Sequence, residues 1–361
     1  MKNKKYYNIK EDLERFPKAW CFVIIGGRKL GKTYGALKTA LDDKIKHVFV
    51  KRCNNDVNML CAGNHLGEKG ASYEVDLSPY KAINRDTGES IKAYKIDEGL
   101  GGFYRSADDG SAGGAPIGYL LSLAAIHKFK GFDLSECDWI IFDEFIPQPW
   151  ERVNRKEGEQ IMDLYMTVAR DRTLRGKPEL KLICLANAVN VFNYTCEALE
   201  ITDIIADMNI KRQDLFYDED RGIVIRILCT PEEMMEDDKN TGIYKAMHNT
   251  AWGHVAFDNE FAYNDFTNVG KLALKGFKPV VSLKYKNKCF YIYLSETKGY
   301  YMTLSPAKCP VQYDLNTDVG QIGFYYDFAL EFRDECVRGR MMFEKYTMYD
   351  MIINYKKRFK V

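Results

Sequence analysis

The sequence lacks any apolar run near the ~18 residues that a membrane-spanning helix needs, and no apolar stretch follows the basic start Met1–Lys5. The expectation is a soluble protein that is not exported. None of the ten cysteines stands in a Cys-x-x-Cys pair, which argues against a zinc ribbon or a thioredoxin-like site. Cys21, Cys184 and Cys289 lie inside apolar runs, where a reduced thiol serves as a small hydrophobe, so a reducing cytoplasm is expected. An excess of one charge is missing as well. The formal net charge of +1 excludes a simple basic coat for nucleic acid, so any positive surface must be local or gathered in an assembly. No internal repeat is visible.

What is present suits two domains: 361 residues with 46% hydrophobic side chains can fill two cores. Residues 6–19 read as a helix ending near Pro17. Trp20–Ile25 is a continuous apolar run of the kind found in strands buried on both faces of a parallel sheet. A helix from Gly31 to about Asp42 and a second buried strand, His47–Val50, complete a βαβ unit. Residues 97–115, rich in Gly, Ser and Asp, read as a surface loop. A helix is expected at 117–127, a strand at Trp139–Phe142, a helix at 159–172 and a strand at Leu180–Leu185. This alternation defines an α/β domain over 1–230. Residues 231–265, beginning with an acidic run, read as a linker or lid. Strands at Val280–Tyr285, Cys289–Leu294 and Tyr300–Leu304, then helices at 324–336 and 343–357, give a smaller mixed domain over 266–361.

Gly26-Gly27-Arg28-Lys29-Leu30-Gly31-Lys32-Thr33 matches the phosphate-loop pattern G-x-x-x-x-G-K-[ST] in full. Its glycines let backbone N–H groups turn towards phosphate oxygens, and the following helix offers its positive end to the same anion. Lys32 can reach the outer phosphates of ATP, and the Thr33 hydroxyl can ligate Mg²⁺. Asp143 and Glu144 follow four apolar residues, which puts both acids at the carboxyl edge of a sheet, where α/β proteins bind ligands. Asp143 is the candidate metal ligand and Glu144 the candidate base for an attacking water. Arg170, Arg172 and Arg175 are candidate transition-state cations, with a solvated helix end as the plain alternative. Arg28 is a second candidate, acting in cis. Asn187 ends another apolar strand, as a γ-phosphate sensor or simply a turn former.

In combination these segments resemble the DNA-packaging ATPases of small tailed bacteriophages, relatives of terminase large subunits. The resemblance rests on Phe22–Thr33, Val48-Phe49-Val50-Lys51-Arg52, Ile141-Phe142-Asp143-Glu144-Phe145-Ile146, Thr167–Arg172 and Ile183–Val189. Order and spacing hold over residues ~6 to ~200, and a weaker likeness in pattern continues through 280–304 and 325–358. It implies a RecA-like ASCE P-loop ATPase domain, with helices on both faces of a mostly parallel sheet, followed by an RNase H-like domain. It implies ATP and Mg²⁺ as cofactors. The implied partners are double-stranded DNA, a viral portal and procapsid, and further copies in a ring, commonly a pentamer, with room for a structural RNA. The implied location is host cytoplasm, with transient docking on the procapsid.

By the same resemblance Arg170 acts in trans on a neighbour's nucleotide. A lysine before the Asp143 strand also acts between subunits; Lys130 falls nearest that position, with Lys128 as the fallback. The second domain departs from the terminase pattern. A two-metal nuclease needs clustered carboxylates, and Val280–Tyr285 offers none, while Glu296, Asp314, Asp318 and Asp327 are not arranged as a cluster. A vestigial domain that grips nucleic acid or portal without cutting is expected. The rival readings are a helicase or partition-type ATPase, a P-loop kinase, and a nucleotide-gated scaffold.

Overall fold

The computed structural model describes residues 6–62, 76–128, 131–258, 261 and 264–361. The chain divides into two units, residues 1–199 with 211–263, and residues 200–210 with 264–361.

The first unit is built on a nine-stranded sheet. Its strands in chain order are β1 Cys21–Gly26, β2 His47–Lys51, β3 Ile91–Asp97, β4 Leu100–Ser106, β5 Ala112–Ser122, β6 Trp139–Asp143, β7 Lys181–Ala186, β8 Leu215–Asp218 and β9 Ile223–Leu228. In space they run β3-β4-β5-β2-β6-β7-β1-β9-β8. The six strands from β5 to β9 are parallel, and antiparallel hairpins extend both edges. Every residue of β1 is buried, as its unbroken apolar run requires of a central strand covered on both faces.

Two expectations fail in the stretch before β6. Residues 97–115 are not a loop, and 117–127 is not a helix: β4 and β5 occupy most of both, and a short 3-10 turn, Leu123–Lys128, follows. Here glycine serves close packing within strands. A Cβ on Gly118 would stand 2.7 Å from the His47 ring, and one on Gly101 would stand 2.9 Å from the Tyr94 carbonyl oxygen. Other boundaries shift less, with helices at Ile9–Arg15, Lys32–Asp42 and Glu157–Val168. The acidic stretch after Pro231 forms two helices, Glu232–Lys239 and Gly242–Met247, and groups with the first unit.

The second unit carries a five-stranded sheet of β10 Lys278–Tyr285, β11 Lys288–Ser295, β12 Gly299–Thr303, β13 Val311–Asp314 and β14 Met341–Phe343, ordered β13-β10-β11-β12-β14. β10 to β12 form an antiparallel meander, with β13 parallel to β10 and β14 parallel to β12. The expected helix at 324–336 begins earlier, at Asp318, and runs to Val337 through a wider π turn at Tyr325–Ala329. The one expected at 343–357 is two helices, Tyr346–Ile353 and Tyr355–Phe359, after β14. The helix Thr202–Ile210 also belongs here: Asp203 accepts hydrogen bonds from the Thr347 backbone N–H and hydroxyl, each at 2.9 Å.

Candidate functional site

Parallel register assembles the site. Ile25 of β1 pairs with Ala186 of β7, Leu185 pairs with Asp143 of β6, and Phe142 pairs with Val50 of β2. The residues just past these positions, Gly26, Asn187, Glu144 and Lys51, therefore emerge together at the carboxyl edge. β7 lies between the strand that leads into the phosphate loop and the strand that ends in the acids.

The loop between β1 and its helix contains two left-handed residues, Lys29 at φ 65° and Gly31 at φ 81°. Gly31 also lies under Tyr6, whose Cβ would come within 3.1 Å of an added side chain, so glycine is required here on two counts. Lys32 is buried, and its Nζ donates to the carbonyl oxygens of Gly26 at 2.8 Å and Gly27 at 2.7 Å and to Asn187 Oδ1 at 3.2 Å. Burial lowers its pKa to about 8 against the opposing pull of Asp143 and Glu144, with Arg28 lowering it further. Arg28 is exposed and lines the same cleft as Lys32, Thr33, Asp143, Glu144 and Asn187. Lys29 turns its side chain away to Asp238, 2.6 Å distant, so it contributes backbone to the loop.

Thr33 Oγ1 donates to Asp143 Oδ1 at 2.8 Å. A hydroxyl and a carboxylate at this spacing are hard oxygen donors of the kind Mg²⁺ takes alongside phosphate oxygens and water, so the pair fits that ion. Glu144 has a left-handed backbone at φ 56°, an uncommon conformation for a side-chain-bearing residue and one that clusters at functional sites. Its side chain is 66% exposed.

β2 supplies two cations that were not singled out as site residues in the sequence. Lys51 Nζ lies 2.9 Å from Asp143 Oδ2 and 3.1 Å from Glu144 Oε2. Burial alone would depress its pKa, but the two carboxylates outweigh that and raise it. Arg52 donates to the backbone oxygens of Glu144 and Phe145 at 2.9 and 3.2 Å, and pairs with Glu151 and Glu157 at 2.6 Å each. The available signal was that Lys51 and Arg52 follow a buried apolar run, as Asp143 and Glu144 follow theirs.

The three arginines after the helix Glu157–Val168 separate clearly. Arg172 is buried and donates to the carbonyl oxygens of Cys137 and Pro178 and to Asp138. Arg175 bonds Ser135 at 2.7 Å. Arg170 is exposed. Lys130 lies outside the described residues, and the fallback Lys128 pairs with Glu98 at 3.0 Å. In the second unit Asp314 faces Lys284 at 3.6 Å and Asp327 accepts from Tyr313. Among the described residues no group of three or more His, Cys, Asp or Glu is placed to hold a metal, and no helix is long and apolar enough to cross a membrane.

Fold and site together define a mixed α/β protein with a phosphate loop at the carboxyl edge of a large, mostly parallel sheet. A family model of podovirus DNA encapsidation proteins (Gp16) matches residues 112–319. That is more than half of the chain, and the chain belongs to this family. Two solved structures share its fold along nearly its whole length. One is the phi-28 gp11 DNA packaging motor, at TM-score 0.60 and 18% identity over 99% of this chain and 98% of that one. The other is the bacteriophage phi-29 viral genome packaging motor assembly, at TM-score 0.60 and 16% identity over 99% of this chain and 100% of that one. No curated protein matches the chain.

Proposed function

We propose that the protein is an ATP-hydrolysing motor that drives double-stranded DNA into a viral procapsid, working as a ring of copies docked at the portal. The observation that carries this reading is the convergence of Lys32, Thr33, Asp143, Glu144 and Asn187 on one sheet edge, within a chain of the DNA encapsidation family. Placement of β7 between β1 and β6 suits the ASCE branch of RecA-like ATPases. The β10–β12 meander with β13 parallel to β10 suits a reduced RNase H-like domain, although β14 sits beside β12.

Lys32 and the loop N–H groups hold the triphosphate, while Thr33 and Asp143 hold Mg²⁺. When bound, the metal neutralises charge on the phosphate oxygens. Glu144 takes the proton of the attacking water, a role the adjacent exposed carboxylate can fill and that a kinase acting on a small acceptor does not need. Asn187, tied to Lys32, senses the γ-phosphate and passes its loss to the rest of the unit. Arg170 arrives from a neighbouring copy to stabilise transition-state charge. Its freedom supports this assignment: Arg172 and Arg175 are held within their own chain, whereas Arg170 stands exposed.

The test is ATPase rate per subunit against protein concentration, with and without double-stranded DNA. A site shared between copies loses specific activity on dilution and responds to DNA. A rate per subunit that is constant across concentration and indifferent to DNA would refute the motor reading.

A further inference from the structure

A net charge of +1 leaves the motor reading in need of a local positive surface where a duplex can be held. We infer that the loop 147–156, between β6 and the helix Glu157–Val168, is that surface: Arg152 and Lys156 meet phosphates of duplex DNA, and the Trp150 ring lies against its sugars. The inference rests on the motor reading above and adds to it the segment of chain that touches the cargo.

Composition sets this loop apart. It carries three cations, Arg152, Arg155 and Lys156, all exposed, against one acid, Glu151. That acid is already held by Arg52 at 2.6 Å, so the outward charge of the loop is positive. Trp150 is 70% exposed, and an indole in water forgoes the burial that its large apolar face would otherwise gain. Cations beside an exposed ring suit a partner that offers anions and apolar sugar faces together, as the duplex backbone does. Contacts of this kind read no base edges, which suits a motor that must pass any sequence.

The loop is also built to hold these groups out. The Glu151 N–H donates to the Gln148 carbonyl oxygen at 3.0 Å, closing a turn whose second residue is Pro149, where a fixed φ suits it. Trp150 is therefore carried at the tip. Further on, Asn154 accepts the Lys156 N–H on its side chain and the Glu157 N–H on its carbonyl oxygen, each at 3.0 Å, which sets the chain around Arg155 and Lys156. Phe145 and Ile146, both buried, anchor the start of the loop. It begins three residues after Glu144, and Arg152 borders the same cleft as Asp143 and Glu144. A contact here sits beside the acidic end of β6, so a shift of the acids on turnover reaches the duplex through a few residues of chain.

The test measures binding of a labelled random-sequence DNA duplex to the full-length protein over a series of salt concentrations, with Mg²⁺ and a non-hydrolysable ATP analogue present. The logarithm of the affinity falls with the logarithm of salt by about 0.9 for each phosphate neutralised. Arg152→Gln with Lys156→Gln should therefore flatten that slope by about 2 for each subunit in contact with the duplex, and weaken binding about tenfold or more at about 0.1 M salt. Trp150→Ala should weaken binding about three- to tenfold and leave the slope as it was, since no charge is lost. Lys275→Gln with Lys278→Gln, which removes two exposed lysines of the second unit, should leave both slope and affinity near the wild type. A wild-type slope in the loop double variant overturns the proposal, as does equal flattening in the two double variants, the mark of diffuse attraction. Unchanged affinity in Trp150→Ala overturns it too. If the loop double variant does not fold, Lys156→Gln alone decides, at a slope change of about 1. The two levels of failure are separable. A wild type that binds no duplex overturns the motor reading and this contact with it, whereas duplex binding whose salt slope the loop variants leave untouched overturns the contact alone.

Discussion

Replacing Arg52 by Met tests whether the base of the site is held by a buried ion pair. The change keeps a stem of similar length and removes the guanidinium, which contacts Glu157, Glu151 and the backbone oxygens of Glu144 and Phe145. Glu157 is the member that matters, because its side chain is only 2% exposed. Burial already raises its pKa, and Arg52 partly offsets that rise. Without Arg52 the carboxylate stays buried and unpaired, which costs about 3–5 kcal/mol. At roughly 2–4 °C per kcal/mol for a unit of this size, melting should drop by about 6–20 °C.

The sign of the pH dependence follows. A carboxyl whose folded pKa lies above its unfolded value, near 4.3, is protonated in both states at low pH and carries no charge penalty there. Stability is lost as pH rises from the unfolded towards the folded value. The loss in Arg52→Met should therefore be smallest at pH below the unfolded value, where only the two backbone acceptors are left unmet at a cost of about 1–2 kcal/mol, and should grow as pH rises above it. All four tryptophans, Trp20, Trp139, Trp150 and Trp252, lie in the first unit, so urea unfolding followed by their fluorescence reports that unit alone. Adding Glu157→Gln should recover most of the loss at pH 8. An equal loss at pH 5 and pH 8, or no recovery in the double variant, would show that the pair does not act as argued.

Other substitutions divide the site by role. Glu144→Gln should bind the ATP analogue as the wild type does while turnover falls about 10²- to 10⁴-fold; retained turnover removes Glu144 as the base. Arg170→Ala should lower turnover by about 10³-fold or more without altering the melting temperature, and mixing it with Glu144→Gln subunits should restore part of the rate, because some shared sites then carry both groups. No recovery on mixing points to action within one subunit. Arg172→Ala, by contrast, should lose stability, since it strips donors from the Cys137 and Pro178 carbonyls and leaves Asp138 unpaired, and a stable variant would contradict the clamp. Asn187→Ala should keep nucleotide affinity within a few-fold and lose stimulation by DNA, and normal stimulation would end the sensor role.

Much of the site was legible because its signals are local. Gly26–Thr33 is a contiguous motif, and Asp143-Glu144 and Asn187 each end an apolar run, so burial of the run fixes where the polar residues emerge. The β3–β5 region was misread for an equally physical reason. Gly101, in a stretch that reads as a loop by composition, and Gly118, in one that reads as a helix, sit where a carbonyl or ring of the neighbouring strand leaves no room for a side chain. That constraint belongs to the partner strand and cannot be read from the segment itself. The same holds for the helix Thr202–Ile210, which sequence order assigns to the first domain and Asp203 ties to the second unit through Thr347.

The cations of β2 show why a motif search stops short of a mechanism. Lys51 and Asp143 are 92 residues apart in the chain, and nothing near either one marks the other as its partner. Strand order makes the pairing necessary: β2 lies against β6 in parallel register, so whatever follows the apolar run of one must meet whatever follows the run of the other. Two acids at the end of β6 would repel each other and resist burial. Two cations ending the adjacent strand relieve this, one holding the backbone and the other the carboxylates. The acids and their neutralising partners are therefore one device, and a change at Lys51 or Arg52 should be read as a change at Asp143 or Glu144. Exchanging the order of the two cations, as Lys51→Arg with Arg52→Lys, keeps the charge and destroys the geometry. Because only an arginine fork at position 52 can span Glu157, Glu151 and two backbone oxygens, the exchanged protein should lose both stability and turnover.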